Sequence, residues 1–220
     1  MSLQETLDAF RAEFSGKRPP HIVEASARAT ADLIASGQAE RALKVGDAAP
    51  VFTLPGPDGK PVASSDLLAR GPLVITFYRG VWCPYCNMEL QALQTALPDI
   101  AALGGSLVAI SPESAPNSRK SVRQNELSFP ILTDHGNEVA AAFGLRFQLP
   151  DDIIEIYKGF GNDLAKVNGE PSWTLPMPGR FVVASDGMIA YAEVNPDYTR
   201  RPEPEALIPA LRAAARKRAA

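Results

Sequence analysis

Apolar residues recur at helical spacing from the start of the chain, at Leu3, Leu7, Phe10 and Phe14. Gly16, Pro19 and Pro20 interrupt the pattern. Ile22, Ala25, Ala29 and Leu33 resume it on one side of a second helix, which Gly37 ends. This predicts a helical arm over residues 1–43, ahead of a main domain over residues 44–220. An arm of this kind suits packing on its own domain or contact with a second copy in a homodimer.

The main domain reads differently. Residues 51–54 and 61–63 flank a Pro-Asp-Gly-Lys turn and predict a hairpin, after which Ser65 is placed to cap a short helix. The run Leu-Val-Ile-Thr-Phe-Tyr at 73–78 is continuously apolar and β-branched, as in a strand buried on both faces. A helix with Leu90, Leu93 and Leu97 on one face follows, then a strand over 107–110. A polar helix over 116–127, a strand over 129–132 and a short helix over 137–143 closed by Gly144 complete the alternation. Strands alternating with helices predict an α/β domain with parallel pairing and helices on both faces. Residues 181–184 and 188–191 around Asp186-Gly187 add an antiparallel hairpin, which makes the sheet mixed. Residues 145–179 form an insertion with weak patterning. The last helix is expected over 204–217. Glu203 and Glu205 lie at its positive end, and Arg216, Lys217 and Arg218 at its negative end.

Composition narrows the function classes. The 220 residues carry a formal net charge of -3, which offers no footprint for nucleic acid or an anionic membrane. The longest apolar run is far short of the ~20 residues of a membrane helix. The first residues lack a cationic start and an apolar stretch, so a cytoplasmic location is expected. The two cysteines, Cys83 and Cys86, are too few for a disulfide framework. In a reducing compartment a close pair points to catalysis or metal. The chain has two histidines, His21 and His135, at no zinc-finger spacing, so no metal or other cofactor is expected. Haem attachment fails because residue 87 is Asn.

The chemistry concentrates at Arg79-Gly80-Val81-Trp82-Cys83-Pro84-Tyr85-Cys86, between a buried strand and a helix start. Pro84 fits the first helical turn, which puts Cys83 at the N-cap. Free N–H groups and the positive dipole end there favour thiolate over thiol. A thiol of pKa ~8.5 is about 3% thiolate at neutral pH, and one of pKa ~6 is about 90%. Cys86 lies one turn on and can close a disulfide with Cys83. The bland reading is a pair of buried core cysteines.

Gly46-Asp47-Ala48-Ala49-Pro50-Val51-Phe52-Thr53-Leu54 and the segment from Phe77 to Cys86 resemble the peroxiredoxin-like branch of the alkyl hydroperoxide reductase/thiol-specific antioxidant (AhpC/TSA) family. The resemblance extends through Ile110-Ser111-Pro112, residues 129–134 and residues 197–201. It implies a thioredoxin-like fold, a peroxide substrate, and a thioredoxin-like or glutathione-type electron donor. Two departures follow. Typical members carry Pro-x-x-x-Thr-x-x-Cys. With its Cys on Cys86, Cys83 stands at the Thr and Arg79 at the Pro, so the resemblance makes Cys86 the attacking sulfur while the dipole argument favours Cys83. Typical members also carry an Arg three residues before Phe181, where this chain has Pro178. Thioredoxin-like proteins have a cis-proline there, facing the CxxC. Arg79, Arg180, Arg200 and Arg201 are candidate substitute cations, or else surface charges.

Trp82 and Tyr85 are candidate supporting residues with Pro84, the Trp as a shield for the disulfide and the Tyr as a modulator of potential. Their plain readings are a partly buried aromatic and an exposed tyrosine. His135 is a candidate general base or a loop residue, and Glu89 reads as a solvated helix position. The resulting expectation is a thiol-dependent peroxidase working through Cys83 and Cys86. The alternatives are a thiol–disulfide oxidoreductase acting on protein disulfides, which the lost Thr and Arg favour, and a non-catalytic thioredoxin-fold binding module.

Overall fold

The computed structural model describes residues 1–219, with side chains through Arg216. Helices α1 (Leu3–Gly16) and α2 (Pro20–Ala35) form the arm. Ser2 starts α1 with a capping box, its hydroxyl accepting from the Glu5 N–H while the Glu5 carboxylate accepts from its own. Leu3 and Leu7 are buried in the same apolar core as Val74, Leu90 and Leu93. Burying a leucine contributes about 1.5–3 kcal/mol.

A hairpin of β1 (Thr53–Pro55) and β2 (Pro61–Ala63) leads into α3 (Ser64–Leu68). Ala63, not Ser65, occupies the N-cap of α3. The nearby hydroxyl that is used belongs to Ser64, which accepts from the Phe52 N–H and ties the hairpin to the helix. The central sheet has the order β5-β4-β3-β8-β9. Its members are β3 (Leu73–Phe77), β4 (Ser106–Ser111) and β5 (Ile131–Thr133), which run parallel. Between them come α4 (Pro84–Ala102), α5 (Ala115–Gln124) and, after β5, α6 (Glu138–Ala142). Strands β8 (Gly179–Val183) and β9 (Ile189–Val194) add antiparallel to β3. β3 is buried at every position, as its unbroken apolar run requires.

The 145–179 insertion is more ordered than its patterning suggests. It opens with β6 (Arg146–Gln148) and closes with β7 (Thr174–Pro176), which pair antiparallel. Between them lie α7 (Asp151–Gly159) and α8 (Leu164–Asn168), and α2 packs against α7. Gly144 joins arm and domain. Its φ is +79°, and a Cβ there would come within 2.8 Å of the Ala42 Cα.

A 3-10 turn (Pro204–Leu207) precedes the last helix, α9 (Ile208–Ala219). The side chains of Lys217 and Arg218 lie outside the described residues. The Glu203 side chain makes no cap hydrogen bond to the 3-10 turn. Its carboxylate accepts from the N–H groups of Leu3 and Gln4, at 2.9 and 3.0 Å, and so holds the start of α1. Among the described residues no helix is long and apolar enough to cross a membrane.

Candidate active site

The site forms where β3 ends beside β8. Gly80, at φ +143°, begins the turn, and a Cβ there would overlap the Trp82 ring. The Cys83 N–H donates to the Gly80 carbonyl, and Cys83 then takes the N-cap of α4 with Pro84 first inside. The turn is braced from below. Glu113 is fully buried and accepts from the Val81 N–H at 2.8 Å and the Tyr78 hydroxyl at 2.7 Å. Asn87 reaches back to the Val81 carbonyl at 2.8 Å.

Both cysteines are free and buried. Cys83 lines an open cleft of about 440 Å³, and Cys86 does not. Burial pushes the Cys83 thiol up. The hydrogen bond from Cys86, the charges of Arg79 and Arg201 and the Cys86 N–H outweigh it and bring the pKa to about 6. Burial and the neighbouring Cys83 thiolate push Cys86 the other way, well above the ordinary thiol value. One negative charge is therefore shared by the pair and rests on Cys83.

Glu89 is no solvated residue. It is buried one turn beyond Cys86, with Arg180 Nη2 at 2.8 Å and Arg201 Nε on its other oxygen. Burial raises its pKa, but the charges of Arg201 and Arg180 outweigh that and hold the carboxyl below its ordinary value. Thr76 and Arg180 face each other across β3 and β8, and both side chains reach Glu89. One carboxylate between two guanidiniums leaves a positive charge unbalanced beneath the sulfurs. Arg201 delivers it: its Nη2 lies 3.6 Å from the Cys86 Sγ.

Arg79 is buried and has no carboxylate partner among the described residues. Its guanidinium stacks against Tyr198 at 4.2 Å and Trp82 at 4.9 Å and donates to the Tyr157 hydroxyl. Tyr85 is buried rather than exposed, its ring edge-on to Phe10 and Tyr198. Trp82 is half-buried, edge-on to Tyr157, and lines the cleft with Cys83 and Pro84.

The structure thus brings Arg79, Trp82, Cys83, Pro84, Tyr85 and Cys86 together. Pro178 lines an adjoining cavity with Arg79 and Tyr198, not the Cys83 cleft. No peptide bond among the described residues is cis, so Pro178 is not a cis-proline. Arg180 and Arg201 are buried, whereas Arg200 is a surface charge paired with Asp8. His135 is exposed and lines no part of the cleft. Tyr157, Tyr198 and Glu113 were not legible as site residues. The local signal at Tyr198 is its place in the 197–201 segment that carries part of the family resemblance, with Thr199 next to it and Arg201 three residues on.

The AhpC/TSA family model matches residues 45–192. A Mycobacterium tuberculosis (strain ATCC 25618 / H37Rv) protein of peroxiredoxin type is 32% identical over 114 residues, 52% of this chain and 74% of that protein. The chloroplastic peroxiredoxin Q of Oryza sativa subsp. japonica is 28% identical over 150 residues, 68% of this chain and 58% of that protein. The crystal structure of peroxidoxin BcpB from Mycobacterium tuberculosis shares the fold, with a TM-score of 0.61 at 24% identity over 80% of this chain and 97% of that one.

Proposed function

The chain belongs to the AhpC/TSA family, and on that premise we propose that it is a thiol-dependent peroxidase in which Cys83 attacks and Cys86 resolves. The observation that carries the assignment of roles is that Cys83 lines the cleft at a helix N-terminus while Cys86 is sealed beneath it. The Cys83 thiolate attacks the terminal oxygen of ROOH. The O–O bond breaks, Cys83 becomes a sulfenic acid, and the departing alkoxide takes a proton to leave as ROH. The Cys86 thiol then displaces the sulfenic oxygen. A Cys83–Cys86 disulfide forms and water is released. A thiol donor returns two electrons and two protons and restores the pair.

Arg79 and Arg201 favour the thiolate and the developing alkoxide without taking part in bond making. They stand in for the family's Thr and Arg, which this chain lacks. Tyr198 and Trp82 fix the Arg79 plane. The depth of the site favours a small substrate over a protein disulfide, since Cys83 is only 1% exposed. Exchange with a protein would need its disulfide sulfur to enter the cleft.

The test is sulfenic acid trapping after one equivalent of hydrogen peroxide, in Cys83→Ser and Cys86→Ser. The expected result is a trapped sulfenic acid on Cys83 in Cys86→Ser and none in Cys83→Ser. A sulfenic acid on Cys86 alone reverses the roles. Oxidation of wild type no faster than that of a free thiol removes the peroxidase reading.

A further inference from the structure

The cleft over Cys83 is completed by residues outside the stretch that the family match covers. Phe14, Arg18, Ile22 and Ser26 come from the arm, and Tyr198 from beyond β9. The charged residues lining it are Arg79 and Arg18, with no carboxylate among them. The charge of Arg79 is engaged with the Cys83 sulfur. Arg18 has no such duty. Its guanidinium sits 4.4 Å from the Phe14 ring centre and 4.2 Å from that of Phe160, bridging arm and insertion. Among the described residues its side chain is in no ion pair or hydrogen bond. A guanidinium held by ring faces keeps its in-plane N–H donors free, and their fork matches a carboxylate.

The remaining wall carries no charge and mixes polar side chains (Ser26, Asn87, Gln124, Asn162) with an apolar part. Ile22, Val81, Ile156 and Phe160 form that part, between the arginines. A volume of about 440 Å³ falls in the range of small-molecule sites. Hydrogen peroxide needs none of this surface.

We propose that Arg18 recognises the carboxylate of an organic hydroperoxide. Its apolar chain lies along Ile22, Ile156 and Phe160, and its O–O group reaches Cys83. The arm is thereby a specificity element of the site. This rests on the peroxidase reading above, but the binding part stands apart from turnover.

Two measurements on the full chain test it. The first is binding of decanoate and of decanol to the reduced protein by calorimetry. Decanoate is expected to bind about tenfold more tightly, the size of one charge-assisted contact. Arg18→Gln is expected to bring the two together, and Arg18→Lys to restore part of the difference. Equal binding in wild type overturns the proposal, whether or not any peroxide is reduced. The second is kcat/KM for a medium-chain hydroperoxy acid and its methyl ester. Wild type is expected to prefer the acid by a similar factor and Arg18→Gln to lose the preference. The ratio is internal to each protein, so general damage by the substitution does not affect it. A ratio near one in wild type overturns the proposal and leaves the peroxidase standing. Decanoate binding at Arg18 with no hydroperoxide turnover removes the peroxidase reading and leaves the anion site standing. A preference for the acid that survives Arg18→Gln, with KM rising only for an anionic thiol such as glutathione, overturns the proposal in favour of the reductant.

Discussion

Arg201 touches Glu89 and the sulfur of Cys86 with one guanidinium, its Nη2 lying 3.6 Å from Cys86 Sγ. The residue is buried and is one of the two cations that lower the Cys83 pKa. Arg201→Met removes that charge and leaves Glu89 balanced by Arg180 alone. The Cys83 pKa is expected to rise by about one unit or more, as for an opposite charge removed from beside the cysteine pair. The pH dependence of iodoacetamide alkylation reads this directly. An unchanged titration removes Arg201 from the thiolate's environment.

The cysteine pair also makes stability depend on pH. Between about 6 and the ordinary thiol value of 9.0 the native state holds Cys83 as thiolate while the unfolded chain keeps it protonated. The unfolded state binds more protons there, so stability contributed by Cys83 rises with pH through that window and is lost as pH falls through about 6. Cys86 is raised, so above pH 9.0 its unfolded form ionises first and stability turns down. Urea midpoints of the reduced protein from pH 5 to 10, set against those of Cys83→Ser, should show the rise only in wild type. Parallel curves would contradict it.

Glu113 accepts from the Val81 N–H and the Tyr78 hydroxyl in a fully buried position. Glu113→Ala leaves two buried donors unpaired, a loss of about 3 kcal/mol. For a chain of this size that corresponds to a fall in Tm of about 6–12 °C. Thermal unfolding measures it. Tyr78→Phe, which removes one donor with its need, is expected to cost much less. Equal losses for the two would show that the carboxylate does not brace the turn.

The oxidised pair is expected to be reduced faster by a thiol of glutathione's size than by thioredoxin, because Cys83 lies in a cleft and is only 1% exposed. Stopped-flow tryptophan fluorescence in a Trp173→Phe background, where Trp82 reports alone, would rank the two. Faster reduction by thioredoxin would mean that the cleft opens on oxidation.

The placement of the two cysteines at a helix N-terminus was readable from sequence because its determinants are local. A six-residue apolar run, a Gly, a Cys and a following Pro suffice for strand, turn and helix N-terminus. The buried triad was not. Glu89, Arg180 and Arg201 are charged residues of a kind that is ordinarily exposed. Their burial depends on one another across 91 and 112 residues of sequence, which no local pattern carries. The insertion hid for a different reason. Strands of three residues, such as β6 and β7, are too short to establish a period. Its contribution to the site, Tyr157, was invisible with it.

Helix α1 and the segment carrying Tyr198 and Arg201 are tied to each other. Glu203 takes the N–H groups of Leu3 and Gln4, and the Gln4 side chain accepts from the Arg201 N–H at 3.0 Å. The first and some of the last residues of the chain are thus hydrogen-bonded to each other. During synthesis, Cys83 and Cys86 leave the ribosome more than a hundred residues before Arg201 does. Until Arg201 arrives, the pair has Arg79 but not the second cation beside it. The second cation of the cysteine pair therefore depends on the contact between the two ends of the chain.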